Sequence, residues 1–431
     1  MQPQPRTAAG RLPAPSAGSA RARLRSLAVE ALWLGAFIAA QFALAGAAGA
    51  EPWLPANDSV IVERLREQPR DDDLHAYKLM KHRLAARPDD AALAAATAQA
   101  AIGLARRDGD PRFLGAAEAA LAPWRDRPDA PRPLRVLQAI LLQANHDFDA
   151  ALAALDAVLR SAPDDAQARL VRASVLQVQG RYDEAQRDLD RLADQPAAAR
   201  YARAARAELA SLRGEPERGA AELAALAGAD LDARPGRAAD DDGGWLALLD
   251  AEMSERRGDS ARADVAFRRA LVAGRDAYTL GAYADFLLDA GRPADAARLL
   301  DDHRRADALL LRLGIAWRAL GDPRWQTARA DLADRFAAAR LRGDTVHRRE
   351  EARFRLALAD DPGAALALAR SNWRVQREPA DLRLLIDSAA ACPGCDGADA
   401  ALADARDFIA RNRIADRRLG AFAATPARRP A

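Results

Sequence analysis

From Arg132 to Ala199 the sequence repeats itself at a spacing of 34 residues without a gap. Phe148, Ala151, Leu155 and Val158 recur as Tyr182, Ala185, Leu189 and Leu192, and His146 is answered by Gly180. A further step of the same length lands on Gly214, Pro216, Gly219, Leu223 and Leu226. A fixed period of this length means that one small structural unit is stacked many times. Such a chain grows by adding units, so its 431 residues need not divide into two or three separate cores.

Within Gln167 to Ala193, apolar or small residues fall at Leu170, Ala173 and Leu176, and again at Ala185, Leu189 and Leu192. Steps of three and four trace one face of a helix. Between the two faces stands Gln179-Gly180-Arg181, where glycine can take the left-handed conformation that ends a helix. Each period is therefore two amphipathic helices joined by a tight turn, and neither can bury its apolar stripe alone. The segment resembles a tetratricopeptide repeat through Gly180, Tyr182, Ala185, Leu189, Leu192 and Pro196, the proline standing one place early. It departs from that pattern at Arg169 and Arg172, where the family carries a bulky residue and Leu. The stems of these arginines are expected to cover apolar surface while the heads reach water. The resemblance implies an all-α, right-handed solenoid of about nine to ten hairpins that binds a protein or peptide partner in its concave groove and has no turnover of its own. Composition agrees with helices: half the residues are hydrophobic but only 5% are aromatic, and long alternating β-type runs are missing.

The expected order is a leader at residues 1–50, degenerate N-terminal helical repeats at 51–131, and regular repeats at 132–228. An acidic loop at 229–243, further repeats at 244–420 and a disordered tail at 421–431 complete it. The leader has Arg6, Arg11, Arg21, Arg23 and Arg25, then an uncharged run from Ala31 to Ala50 ending in Ala48-Gly49-Ala50. A basic region, an apolar centre and a small-x-small end make a secretory signal, cleaved after Ala50. The alternative is an uncleaved inner-membrane anchor through residues 31–50. Both place the repeats outside the cytoplasm, in the periplasm or secreted. Loss of five arginines and Glu30 turns the formal net charge of +2 mildly negative, which disfavours nucleic acid as a partner.

Cys392 and Cys395, the only cysteines, flank Pro393-Gly394 in a turn between two helical patterns. They read as a disulfide staple in an oxidising compartment, as an exchanging dithiol, or as half of a metal site. The dithiol or metal reading would make the chain an accessory of thiol or metal chemistry. No motif of a hydrolase, zinc protease or nucleotide-binding loop is present, and no cofactor is implied. His75 and His82 read as solvated. Asp89-Asp90, Asp164-Asp165 and Asp360-Asp361 stand where helix caps belong.

In tetratricopeptide arrays the first helix of each pair lines the groove. Projection onto that pattern puts Leu170, Ser174 and Gln177 on the wall, followed by Tyr201, Ala204 and Glu208. Trp245, Leu248 and Glu252 come next, then Tyr278 and Asp285. Tyr201, Trp245 and Tyr278 each open a first helix, and serve either recognition or packing between repeats.

Overall fold

The acidic pairs that precede the apolar stripes set the helix starts. Asp90, Asp165 and Asp361 accept hydrogen bonds from the backbone N–H groups of Leu93, Ala168 and Ala364 at 3.0, 2.9 and 3.0 Å. Each satisfies a donor that the first turn of a helix leaves free, so these pairs are caps rather than acid/base dyads.

The computed structural model describes residues 71–125, 127, 129–233, 241–344 and 346–423, all within the unit Arg70–Ala431. The expected leader and the start of the degenerate repeats lie outside the described residues. Helix α1 (Asp72–Ala86) is followed by α2 (Ala91–Asp108) with α3 (Arg112–Leu121), α4 (Arg132–Ala144) with α5 (Phe148–Ser161), and α6 (Ala166–Val178) with α7 (Tyr182–Asp190). Then come α8 (Pro196–Leu212) with α9 (Pro216–Ala233), α10 (Asp241–Arg257) with α11 (Ser260–Ala273), and α12 (Ala277–Asp289) with α13 (Pro293–Leu300). Helices α14 (Asp307–Ala319) with α15 (Arg324–Leu341), α16 (Arg348–Ala357) with α17 (Pro362–Trp373), and α18 (Pro379–Ala391) with α19 (Ala398–Asn412) complete the pairs. The described residues thus hold nine antiparallel hairpins after α1 and no strand. None of their helices is long and apolar enough to cross a membrane.

The turns carry the period. Gly180 and Gly214 have φ of 72° and 82°, and His146, the residue that answers Gly180, holds φ of 58°. The 34-residue register therefore imposes a left-handed turn even where glycine is missing.

Three expectations need correction. The heads of Arg169 and Arg172 do not simply reach water. Arg169 is 5% exposed and Asp188 1%. Arg169 Nη1 donates to Asp188 Oδ1 at 3.1 Å, Arg169 Nε donates to the Pro163 carbonyl at 2.9 Å, and Arg172 Nε donates to Asp188 Oδ2 at 2.7 Å. Asp188, one turn before Leu192 on the second helix, supplies the counter-charge that lets an arginine stand where the repeat pattern has an apolar residue. The acidic stretch is also shorter as a loop than expected, since α9 runs to Ala233 and α10 starts at Asp241. Its middle lies outside the described residues. Finally, the first three residues of the expected tail belong to helix α20 (Gly420–Ala423), with Phe422 packed on the core and Arg406 4.8 Å above its ring, and residues 424–431 lie outside the described residues.

The hairpins do not form an open row. One apolar cluster joins Phe148, Tyr182, Leu189 and Leu212 to Ala352, Trp373, Leu385 and Phe408. Arg377 N–H donates to the Val178 carbonyl at 2.7 Å, and Phe408 meets the rings of Tyr182 and Trp373 edge-on at 6.1 and 5.0 Å. A Cβ on Gly180 would lie 2.7 Å from Phe408, and one on Gly214 would lie 2.8 Å from the Arg413 carbonyl oxygen. The C-terminal hairpins are seated on the turns of the regular repeats, and only glycine lets them approach that closely.

This seating is testable. Gly321 has φ of 69° and no neighbour near its missing Cβ, so Gly321→Ala measures backbone strain alone, about 1 kcal/mol. Gly180→Ala adds the collision with Phe408, and is expected to cost about 1–2 kcal/mol more in urea denaturation. Equal losses for the two variants would mean that Phe408 does not rest on Gly180.

Candidate functional site

Because the array turns back on itself, the inner faces of its first helices enclose a cavity of about 830 Å³. Most of its lining comes from α6, α8, α10, α12, α14, α16 and α18, each the first helix of its pair, with Tyr182 of α7, Pro293 of α13 and Arg418 joining them. On α10, Glu252, Glu255 and Arg256 share one face through steps of three and four, as do Arg349 and Arg353 on α16 and Arg383 and Asp387 on α18.

Most of these charges are matched across helices. Arg312 and Arg353 both hold Asp285, at 2.7 and 2.6 Å. Arg349 holds Glu378 at 2.8 Å, Arg383 holds Asp289 at 2.9 Å, and Arg418 holds Glu255 at 3.1 Å. Ion pairs that bridge separate hairpins fix the curvature of the wall more than they stabilise it, because exposed and half-exposed pairs contribute little each. The two arginines beside Asp285 keep its carboxyl below the usual carboxylate range despite burial. Glu252 differs: burial first, and the neighbouring Glu208 second, push its carboxyl up to about 7. Its partner is the Tyr278 hydroxyl, which donates at 2.8 Å and whose own pKa is raised by the Glu252 charge.

Of the eleven residues expected on the groove wall, Gln177, Glu208, Glu252, Tyr278 and Asp285 line the cavity. The other six do not. Leu170 and Leu248 pack against the apolar clusters, Ser174 is exposed and accepts from Gln143 Nε2 at 3.4 Å, and Trp245 packs among Leu223, Leu246 and Met253 with the Tyr201 ring 5.7 Å away. Ala204 is fully buried between helices. A wall read from one helical face is correct only while the array curves uniformly; Tyr201 and Trp245 instead bridge two repeats. The sequence reading missed all six wall arginines, Arg256 and Arg312 as well as Arg349, Arg353, Arg383 and Arg418 of the loosely patterned C-terminal part. Their steps of four on α16 and α18 were the available signal.

Cys392 and Cys395 are joined as a disulfide in the α18–α19 turn and do not line the cavity. His75 and His82 are exposed. Among the described residues no group of three or more His, Cys, Asp or Glu side chains is placed to hold a metal ion.

No protein-family profile matches the sequence, and no curated protein matches it. Among solved structures, the type IV pilus biogenesis factor PilW is similar over 48% of this chain and 94% of its own, at 19% identity and a TM-score of 0.37. A tetratricopeptide repeat protein from Parabacteroides merdae ATCC 43184 is similar over 73% of this chain and 99% of its own, at 12% identity and a TM-score of 0.30. Yeast Tom70 covers 74% of this chain with 58% of its own, at 13% identity and a TM-score of 0.38. What decides the fold is the chain's own geometry: paired helices in a 34-residue register, a left-handed turn at Gly180 and its equivalents, and first helices facing inward. The fold is a tetratricopeptide-type array. Within that array the cavity is the concave side, closed by the last hairpins.

Glu252 gives this site a pH dependence. Its folded pKa lies above its value in an unfolded chain, so its contribution is fully present below about pH 4.5 and is lost as pH rises through about 7. Tyr278 is 59% exposed, so water reaches the site and the effect is of order 1 kcal/mol rather than the full shift. Glu252→Gln is expected to raise the melting temperature relative to the parent at pH 8 and to leave it unchanged at pH 4. A variant equally affected at both pH values would show that the carboxyl is not held in this state.

Proposed function

We propose that the chain is an exported, non-enzymatic interaction protein that holds a protein or peptide partner against the inner wall of its array. The observation that carries this reading is the cavity itself. It is built mainly from the first helices, it carries paired charges rather than a nucleophile beside a base, and it suits binding rather than turnover. Export rests on the sequence alone, through the basic, apolar and small-residue parts of residues 1–50. The mildly acidic remainder argues against nucleic acid. The cysteine pair, bonded and away from the cavity, fits a staple of the last hairpin better than a reactive centre.

Two outcomes follow. N-terminal sequencing of the chain recovered from a periplasmic fraction should begin at Glu51; an intact Met1 terminus in the membrane fraction would assign residues 31–50 to an anchor instead. A photo-crosslinking residue at Gln177, on the cavity wall, should trap a partner, while one at Lys78 on α1 should not. Equal trapping at both positions, or trapping at Lys78 alone, would move the binding surface off the inner wall.

A further inference from the structure

Five of the six arginines on the cavity wall rest on a carboxylate, as described above, and Arg256 does not. It is only 4% exposed, it lines the cavity, and its Nε and Nη2 have no hydrogen-bond partner. A buried guanidinium with unmade hydrogen bonds is costly, and a bidentate carboxylate is the group that best satisfies its fork of donors. Two acids of the same wall are left over in turn: among the described residues no arginine pairs with Glu208 or Glu252, and Glu252 has the Tyr278 hydroxyl as its hydrogen-bond partner. Glu252 and Arg256 stand one turn apart on α10, and Glu208 lines the same cavity from α8.

We propose that this corner of the cavity is a binding site for a small ligand that carries both a carboxylate and an ammonium group, the carboxylate seated on Arg256 and the ammonium on Glu208 and Glu252 beside the Tyr278 ring. The two halves are complementary to the charges that the protein leaves unmatched, and neither half alone would give both the guanidinium and the carboxylates a partner. Tyr278 adds an aromatic face for the cation. A cavity of about 830 Å³ admits an amino acid or the end of a peptide. This inference deepens the reading of the cavity as a binding site by naming the chemistry it recognises. It does not depend on export.

The test uses the chain from Glu51 onward and isothermal titration with matched probes: L-lysine and L-alanyl-L-lysine, which carry both groups, cadaverine, which lacks the carboxylate, and hexanoate, which lacks the ammonium. L-lysine or the dipeptide should bind about tenfold or more tightly than either single-charge control. The tighter of the two tells a free amino acid from a peptide end. Arg256→Gln and Glu208→Gln should each weaken that binding about tenfold or more, with the helical circular dichroism signal unchanged. If Arg256→Gln does not fold, the decision rests on Glu208→Gln, whose side chain makes no ion pair among the described residues. Absence of binding by both zwitterionic probes, equal binding by the controls, or parent-like affinity in Glu208→Gln would overturn the proposal. Such a failure leaves photo-crosslinking from Gln177 free to succeed, so loss of this site and loss of the wider partner-binding reading are distinguishable.

Discussion

The seating of the last hairpins on the turns of the regular repeats is the contact on which everything else depends. Stacked helix pairs bury their stripes against their neighbours and in principle extend without limit. Here Phe408 lies on the Gly180 turn and against Tyr182, Arg377 donates to Val178, and Arg413 reaches Gly214. Apolar area therefore leaves water along a second seam, between hairpins far apart in sequence, and the concave side becomes a chamber that stays open to water at Tyr278. Contacts this distant in sequence are paid for in loop-closure entropy, so they hold only because the intervening hairpins are rigid.

Closing the groove changes its electrostatics. In an open array, acids and arginines on first helices would face bulk water and interact weakly. Inside the chamber they lie opposite one another across separate hairpins, and arginine supplies geometry that lysine does not: Arg312 reaches both the Gly281 carbonyl and Asp285, and Arg349 reaches Glu378 and Asp381. The same logic operates in the core, where Asp188 receives both Arg169 and Arg172. The wall is thus a nearly neutral lattice of pairs, and the few groups outside those pairs, Arg256, Glu208 and Glu252, become conspicuous.

How much of this the sequence disclosed follows from the range of the interactions. Hairpins, caps and turns are local: the step from Phe148 to Leu155, the acid before each apolar run and Gly180 are all legible in a single period. Position 146 shows that the register outranks residue type, since a histidine takes the conformation of a glycine. The inward direction of first helices was also legible, which is why Gln177, Glu208, Glu252, Tyr278 and Asp285 were assigned to the wall. Trp245 and Leu248 were misplaced because helical periodicity gives a face without saying which neighbour will cover it. The arginines of the last repeats were missed for a different reason. Their role exists only once the chain has come round, and no periodicity within one repeat encodes a contact with a repeat in the other half of the chain.

The closure itself is best tested by pulsed electron paramagnetic resonance between spin labels at Gln179→Cys and Arg411→Cys, one on the regular-repeat turn and one near the end of α19. The native cysteines are bonded to each other and leave the labels unambiguous. A single narrow distribution at the short end of the measurable range is the result expected of hairpins seated on the Gly180 turn. A long or broad distribution would mean that the array is open, and the chamber and every charge assignment within it would fall.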